Sequence, residues 1–165
     1  LIKDVYLKMI TMAKRSIKLT TPYLILEPEI MAALKIAVHS GVEITLMVPG
    51  KHDYFAVGFA TKSYYEPLLK MNVKIYEYED RFIHAKTLII DEKLASVGTV
   101  NIDPRSLNLN FEATAIFENS TVKDVNNTFN EDLKKSKEIT KEEWRKRGIF
   151  TRIAQGWFNL FSPMF

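Results

Sequence analysis

No cysteine occurs among the 165 residues, which excludes disulfides and thiolate metal sites and leaves the redox compartment unread. No apolar run approaches the roughly 18 residues of a membrane-spanning helix, and no signal-peptide pattern is visible. Glycine patterns of the dinucleotide-binding or P-loop kind are missing, so no nucleotide cofactor is expected. Internal repeats and low-complexity linkers are absent, and residues 1–165 read as one domain. A large excess of one charge is missing too. The formal +3 belongs to the C-terminal segment, where Lys141, Arg145, Lys146, Arg147 and Arg152 face only Glu142 and Glu143. The remainder is neutral, which argues against a nucleic-acid groove spread over the domain.

What is present is an ordinary globular composition, with 47% hydrophobic residues and enough length to bury a substantial core. The chain opens on Leu1 inside a helical pattern, which points to a processed or excised piece of something longer. Ile2, Val5, Tyr6, Met9, Ile10 and Ala13 recur at helical spacing and predict an amphipathic helix over roughly the first fifteen residues. A strand follows at Ser16 to Thr20, then a helix from Glu27-Pro28-Glu29 to a C′ glycine at Gly41. Val42 to Val48 reads as a strand, Ala56 to Met71 as a helix with Pro67 disturbing its last turn, and Val73 to Tyr78 as a strand. Strands are predicted at His84 to Ile90, Leu94 to Val97 and Phe111 to Phe117, with a polar loop from Asn101 to Asn110. Helices over Val122 to Ser136 and Lys141 to Leu160 complete the chain. Alternating strands and helices, then strands in succession, indicate an α/β/α layered domain with a mixed β-sheet.

The chemistry concentrates in Phe82-Ile83-His84-Ala85-Lys86-Thr87-Leu88-Ile89-Ile90-Asp91 and in Gly98-Thr99-Val100-Asn101. Residues i and i+2 of a strand share a face, so a strand reading aims His84 and Lys86 into one space. A neutral imidazole is a competent nucleophile near pH 7, and its protonated form is a competent acid. Lys86 can hold a phosphoryl oxygen, and Asn101 and Thr99 can donate further hydrogen bonds. These residue types point to phosphoryl transfer without a metal. Asp91 terminates its strand on the other face from His84 and is assigned to holding the turn. Gly98 is compatible with an ordinary turn, as is Asn101-Ile102-Asp103-Pro104. His39 reads as a helix-end residue. His52, in Pro49-Gly50-Lys51-His52-Asp53 after a strand end, reads as a surface residue more readily than as part of a site.

The spacing His-x-Lys-x4-Asp-x6-Gly-Thr-x-Asn resembles the motif of the phospholipase D superfamily, in which serine is commoner than threonine at the place of Thr99. Thr21-Pro22-Tyr23-Leu24, Met47-Val48-Pro49-Gly50, Val73-Lys74-Ile75-Tyr76-Glu77-Tyr78, Asn101-Ile102-Asp103-Pro104-Arg105-Ser106 and Leu109-Asn110-Phe111-Glu112 resemble its bacterial cardiolipin synthase branch over nearly the whole chain. The ending Phe161-Ser162-Pro163-Met164-Phe165 resembles that branch's short apolar tail.

The resemblance implies a phosphatidyltransferase that joins two phosphatidylglycerol molecules into cardiolipin and releases glycerol, through a phosphohistidine and with no metal or other cofactor. It implies His84 and Lys86 as catalytic, Lys86, Thr99 and Asn101 on the substrate phosphate, and Glu112 hydrogen-bonded to the far ring nitrogen of His84. Family members carry two motifs facing each other and N-terminal membrane spans. This chain resembles the second half, so its partner is expected to be the N-terminal half of the same protein or a homodimer mate. By analogy with two-motif enzymes His84 is the general acid and base; in a symmetric dimer it could also be the nucleophile. The implied location is the bacterial cell membrane, with the catalytic domain on the cytoplasmic side.

Ile149, Phe150, Ile153, Trp157, Leu160, Phe161, Met164 and Phe165 fall near helical spacing behind the basic cluster. Such a segment suits an anionic membrane surface as well as a helix packed on the sheet. The alternative function is a single-motif dimeric phosphodiesterase or nuclease of the superfamily, for which the neutral segment before Lys141 is unfavourable.

Overall fold

Seven strands form one sheet in the order β6-β5-β4-β1-β2-β3-β7 in the computed structural model, which describes residues 2–118, 120–148 and Trp157. The elements are α1 (Ile2–Met12), β1 (Ser16–Thr20), α2 (Pro28–His39), β2 (Glu43–Pro49), α3 (Phe55–Ser63), α4 (Tyr65–Lys70), β3 (Lys74–Tyr78) and β4 (Thr87–Ile90). They continue with β5 (Leu94–Gly98), α5 (Pro104–Asn108), β6 (Thr114–Glu118), α6 (Ser120–Leu133), β7 (Ser136–Glu138) and α7 (Lys141–Arg145). Strands β1, β2 and β3 are mutually parallel, and β4, β5, β6 and β7 join antiparallel to their neighbours. The sheet is therefore mixed, as expected.

Alternation along the strands builds two cores, one on each face. Ile17, Leu19, Ile44, Leu46, Val48, Leu88 and Ile90 point toward α1, α2 and α4 in the larger one. Met47, Ile89 and Ala95 point the other way, under Val122 and Phe129 of α6. A sheet covered by helices on both faces gives the α/β/α layering.

Local chemistry explains where elements stop. Gly41 follows α2 with φ +85°, the left-handed position that glycine tolerates at C′. The helix expected over 56–71 is instead two, α3 and α4, broken at Tyr64. Pro67 offers no N–H to the carbonyl of Ser63, and it sits in the first turn of α4, where that loss is harmless. Asp103 caps α5 by accepting from the Ser106 N–H (2.7 Å), so a short helix lies inside the expected polar loop. Two expected strands begin late: β4 starts at Thr87 rather than His84, and β6 at Thr114 rather than Phe111. The short edge strand β7 was not expected; it runs antiparallel to β3. Of the helix expected over 141–160, the described part ends at Arg145. Ile149, Phe150, Ile153, Leu160, Phe161, Met164 and Phe165 lie outside the described residues, and Trp157 is exposed.

The topology gathers one edge of the sheet. Because β4 runs against β1, the start of β4 lies beside the ends of β1 and β2. Antiparallel pairing then places the end of β5 and the start of β6 at that same edge. Residues 20–25, 49–54, 84–87, 98–103 and 112–114 converge there, where the sheet changes from parallel to antiparallel order, a common place for ligand sites.

Candidate active site

His84 and Lys86 are brought together as expected, although not by a strand. They lie in the extended segment that leads into β4, with the Lys86 carbonyl already accepting from the Gly98 N–H (3.2 Å). His84 is exposed, and Lys86 is 7% exposed. The Lys86 ammonium donates to the His84 carbonyl (2.9 Å) and lies 2.9 Å from Nδ1 and 3.0 Å from Nε2 of the ring. A neutral imidazole offers one acceptor nitrogen, so one of these contacts can be a hydrogen bond and the other is proximity of a cation. Partial desolvation of the ring, with Tyr23 and Phe82 beside it, lowers the His84 pKa below the ordinary imidazole value although the residue as a whole is exposed. The Lys86 charge lowers it further, while Asp53 opposes both. Burial also lowers the Lys86 pKa, against the charges of Glu112 and Asp103, which raise it. The site thus favours a neutral ring next to a lysine whose charge is held by two carboxylates.

Two of the expected site residues, Glu112 and Thr99, take other partners in this arrangement. Glu112 lies ahead of β6 and is not hydrogen-bonded to His84. Its Oε2 takes the Thr99 hydroxyl and its Oε1 takes the Asn110 amide (3.3 Å). Thr99 in turn accepts from the Ala113 N–H (3.0 Å), and its single O–H is spent on Glu112. Thr99 and Glu112 therefore clamp the β5 exit to the β6 entry instead of facing a phosphate and an imidazole. The side chain of Asn101 reaches the site edge with a buried Oδ1 that has no hydrogen-bond partner.

Gly98 is not a turn glycine by conformation, since its φ is not in the left-handed region. A Cβ there would lie 2.3 Å from the Ala113 carbonyl oxygen and 2.6 Å from the Thr114 Cα, so glycine is required for close approach of two backbones. Asp91 sits far from the ring chemistry. Its carboxylate accepts from the N–H groups of Lys14 (2.9 Å), Arg15 (2.7 Å) and Ser16 (2.8 Å), fastening the α1–β1 junction to the β4–β5 hairpin. Burial raises its pKa, but these backbone donors lower it more, and the net displacement is downward. His39 ends α2, away from this edge. His52 is half-buried: its ring lies against Gly58, and its buried ring nitrogens have no partner. Burial holds its pKa down.

Three residues outside the His-x-Lys spacing, Tyr23, Asp53 and Phe82, also border the site. The Tyr23 ring meets the His84 ring edge-on, with centroids 6.3 Å apart and planes at 75°. Its hydroxyl donates to Asp53 Oδ2 (2.6 Å), and burial followed by that bond pushes the phenol pKa up. Thr21 holds this segment in place by donating to the Tyr23 carbonyl (2.8 Å) and accepting from the Ile102 N–H (3.2 Å). The sequence signal for Asp53 was its place just after a strand end; Tyr23 carried only its place in the resembling segment Thr21-Pro22-Tyr23-Leu24. Phe82 covers another side of the His84 ring at 5.6 Å. No cluster of metal-ligating side chains occurs among the described residues.

Residues 6–133 match the family model described as cardiolipin synthase, PLD-like domain. The chain is 45% identical over 164 residues to the major cardiolipin synthase of Bacillus subtilis, covering 99% of this chain and 34% of that protein. It is 42% identical to a cardiolipin synthase of Listeria welshimeri, with 99% and 34% covered. The chain therefore spans about a third of the length of these relatives. Among solved structures, the phospholipase D family member Nuc of Salmonella typhimurium superposes with TM-score 0.72 at 18% identity, covering 84% of this chain and 90% of that one. Phosphatidylserine synthase of Haemophilus influenzae superposes with TM-score 0.69 at 12% identity, covering 99% of this chain and 42% of that one. At these identities the structural likeness concerns the fold.

Proposed function

The chain belongs to the cardiolipin synthase family of phospholipase D-like domains, and from that premise we propose that it supplies one half of a phosphatidyltransferase site. The observation that carries this reading is the Lys86 ammonium lying against both the ring and the carbonyl of His84 at the site edge. In this reading the phosphate of phosphatidylglycerol binds Lys86. A neutral imidazole nitrogen attacks phosphorus, the bond to the glycerol oxygen breaks, and that oxygen leaves with a proton from an acid. The hydroxyl of a second phosphatidylglycerol then attacks the phosphohistidine. It gives its proton to a base, forms cardiolipin and restores the imidazole.

One histidine cannot be nucleophile and acid in the same step. The other group would come from a second His-Lys motif, in the N-terminal half of a longer protein or in a second copy of this chain. The same reading puts the site at an anionic membrane, on the cytoplasmic face of a bacterial cell. When substrate arrives, Glu112 would exchange the Thr99 hydroxyl for the His84 ring, freeing Thr99 to donate to phosphate.

The test is turnover by a two-motif protein containing this chain, on phosphatidylglycerol vesicles and on single-stranded DNA. Cardiolipin formation that disappears in His84→Ala is expected. Cleavage of DNA with no action on lipid would sink the reading, and so would cardiolipin formation that survives His84→Ala.

A further inference from the structure

A pocket of about 420 Å³ opens beside the motif, inside the range of roughly 300–1,000 Å³ usual for small-molecule sites. Its polar wall comprises Tyr23, Tyr54, Asn101, Asp103, Arg105 and Ser106. Two of these tie it to the chemistry: Tyr23 touches the His84 ring, and Asn101 ends the motif.

The lining is not that of a phosphate site alone. An anion is matched by cations and N–H donors, and it is repelled by oxygen acceptors. This wall mixes both kinds, since the Asp103 carboxylate and the Arg105 guanidinium both line it. Asn101 Oδ1 is the most informative atom, because it is buried and accepts nothing from the protein. A buried acceptor without a donor is costly, and such groups normally have a protein or bound partner. A ligand hydroxyl provides that donor, whereas a phosphate oxygen does not. Asp103 is a second acceptor, held in place by the Ser106 N–H.

We propose that this pocket is a polyol subsite, which holds the hydroxyl-bearing glycerol of a glycerophosphate headgroup while the phosphate rests on Lys86. Asn101 Oδ1 accepts from one glycerol hydroxyl, and the same side chain's amide N–H₂ is left for the phosphate. The subsite rests on the transferase reading and deepens it, since it names the residues that distinguish a glycerol from another alcohol. The competing occupant is a nucleoside, whose base could stack on the two tyrosine rings.

The chain is titrated by NMR with glycerol 1-phosphate, methyl phosphate and cytidine monophosphate. Glycerol 1-phosphate should bind about tenfold more tightly than methyl phosphate, the scale of one or two net hydrogen bonds. Asn101→Leu should bring that ratio close to one. Arg105→Gln, at an exposed position, should lower it too, and serves if Asn101→Leu does not fold. Equal binding of the two phosphates would overturn the subsite and leave the transferase reading standing. Tighter binding of cytidine monophosphate would overturn it in favour of a base site, and binding of none of the three would overturn it outright. The transferase reading falls separately, by the lipid assay.

Discussion

The Lys86 ammonium lies about as close to Nδ1 as to Nε2 of His84, so a proton on the ring would place two cations in contact. Burial is the larger cause of the depressed His84 pKa, and this repulsion adds to it. The consequence has a definite sign. The folded ring stays neutral as pH falls through the ordinary imidazole value, while the unfolded ring takes up its proton. Stability from this group is therefore intact above that value and declines as pH drops below it.

Lys86→Met should raise the His84 pKa part of the way back, and Lys86→Arg should not. NMR titration of the His84 ring protons measures both. An unchanged value in Lys86→Met would mean that burial alone sets the ring's charge. At this scale the motif was legible because its chemistry is local in sequence: His84 and Lys86 are two residues apart and meet. The partner that Glu112 takes in this structure was not legible, because a hydrogen bond between residues thirteen apart depends on rotamers that spacing does not determine. The sequence offered no warning that the Thr99 hydroxyl would claim that carboxylate.

Elements position the motif through two fasteners, one at each end of the β4–β5 hairpin. At the far end, Asp91 and Glu92 turn the chain with φ of 53° and 56°, and the Asp91 carboxylate binds three N–H groups at the start of β1. Asp91→Ala leaves all three N–H groups without their acceptor and places alanine in a left-handed conformation. It should cost about 2–3 kcal/mol in urea denaturation, the scale of charge-assisted hydrogen bonds. Asp91→Asn keeps an acceptor and tolerates the conformation, so it should cost less. Equal losses would show that the carboxylate charge, not the fit, holds the junction.

At the near end, Gly98 lets the backbones of β5 and β6 close over the Thr99–Glu112 clamp. Gly98→Ala must push residues 113–114 away, and overpacking of this kind costs about 1–3 kcal/mol. Its fingerprint is local: faster amide exchange at Thr99 and Ala113, with the β1–β2 ladder unchanged. Uniform loss of protection would place the strain elsewhere. Strand order and the late starts of β4 and β6 were the least legible features. Period-two patterning continues through extended chain whether or not a neighbouring strand is there to pair with it, so His84 to Lys86 looked like strand. Pro67 was visible in the sequence, but its power to split the helix at Tyr64 depends on how α4 packs beneath β3.

At the scale of the whole molecule, the motif contributes a single His84–Lys86 pair to the site edge, beside an exposed apolar rim. Tyr54, Phe82, Leu109 and Phe111 from loops, and Phe55 from the start of α3, stand out near the site edge, with Phe111 fully exposed. On the transferase reading, two-sided transfer needs an acid opposite the nucleophile, and one histidine cannot fill both places in the same step. In that reading the mate would come from another segment or another copy. This sets an expectation that separates assembly from chemistry. The 165-residue chain held monomeric, as shown by sedimentation, should not turn over phosphatidylglycerol. If copies pair, activity should rise with the square of protein concentration below the dimer dissociation constant and become linear above it. Mixing in His84→Ala chains should then suppress activity by more than dilution, because each mixed pair loses one of its two histidines. Turnover linear in concentration from a sample that sediments wholly as monomer would show that one motif suffices, and would remove the need for a mate.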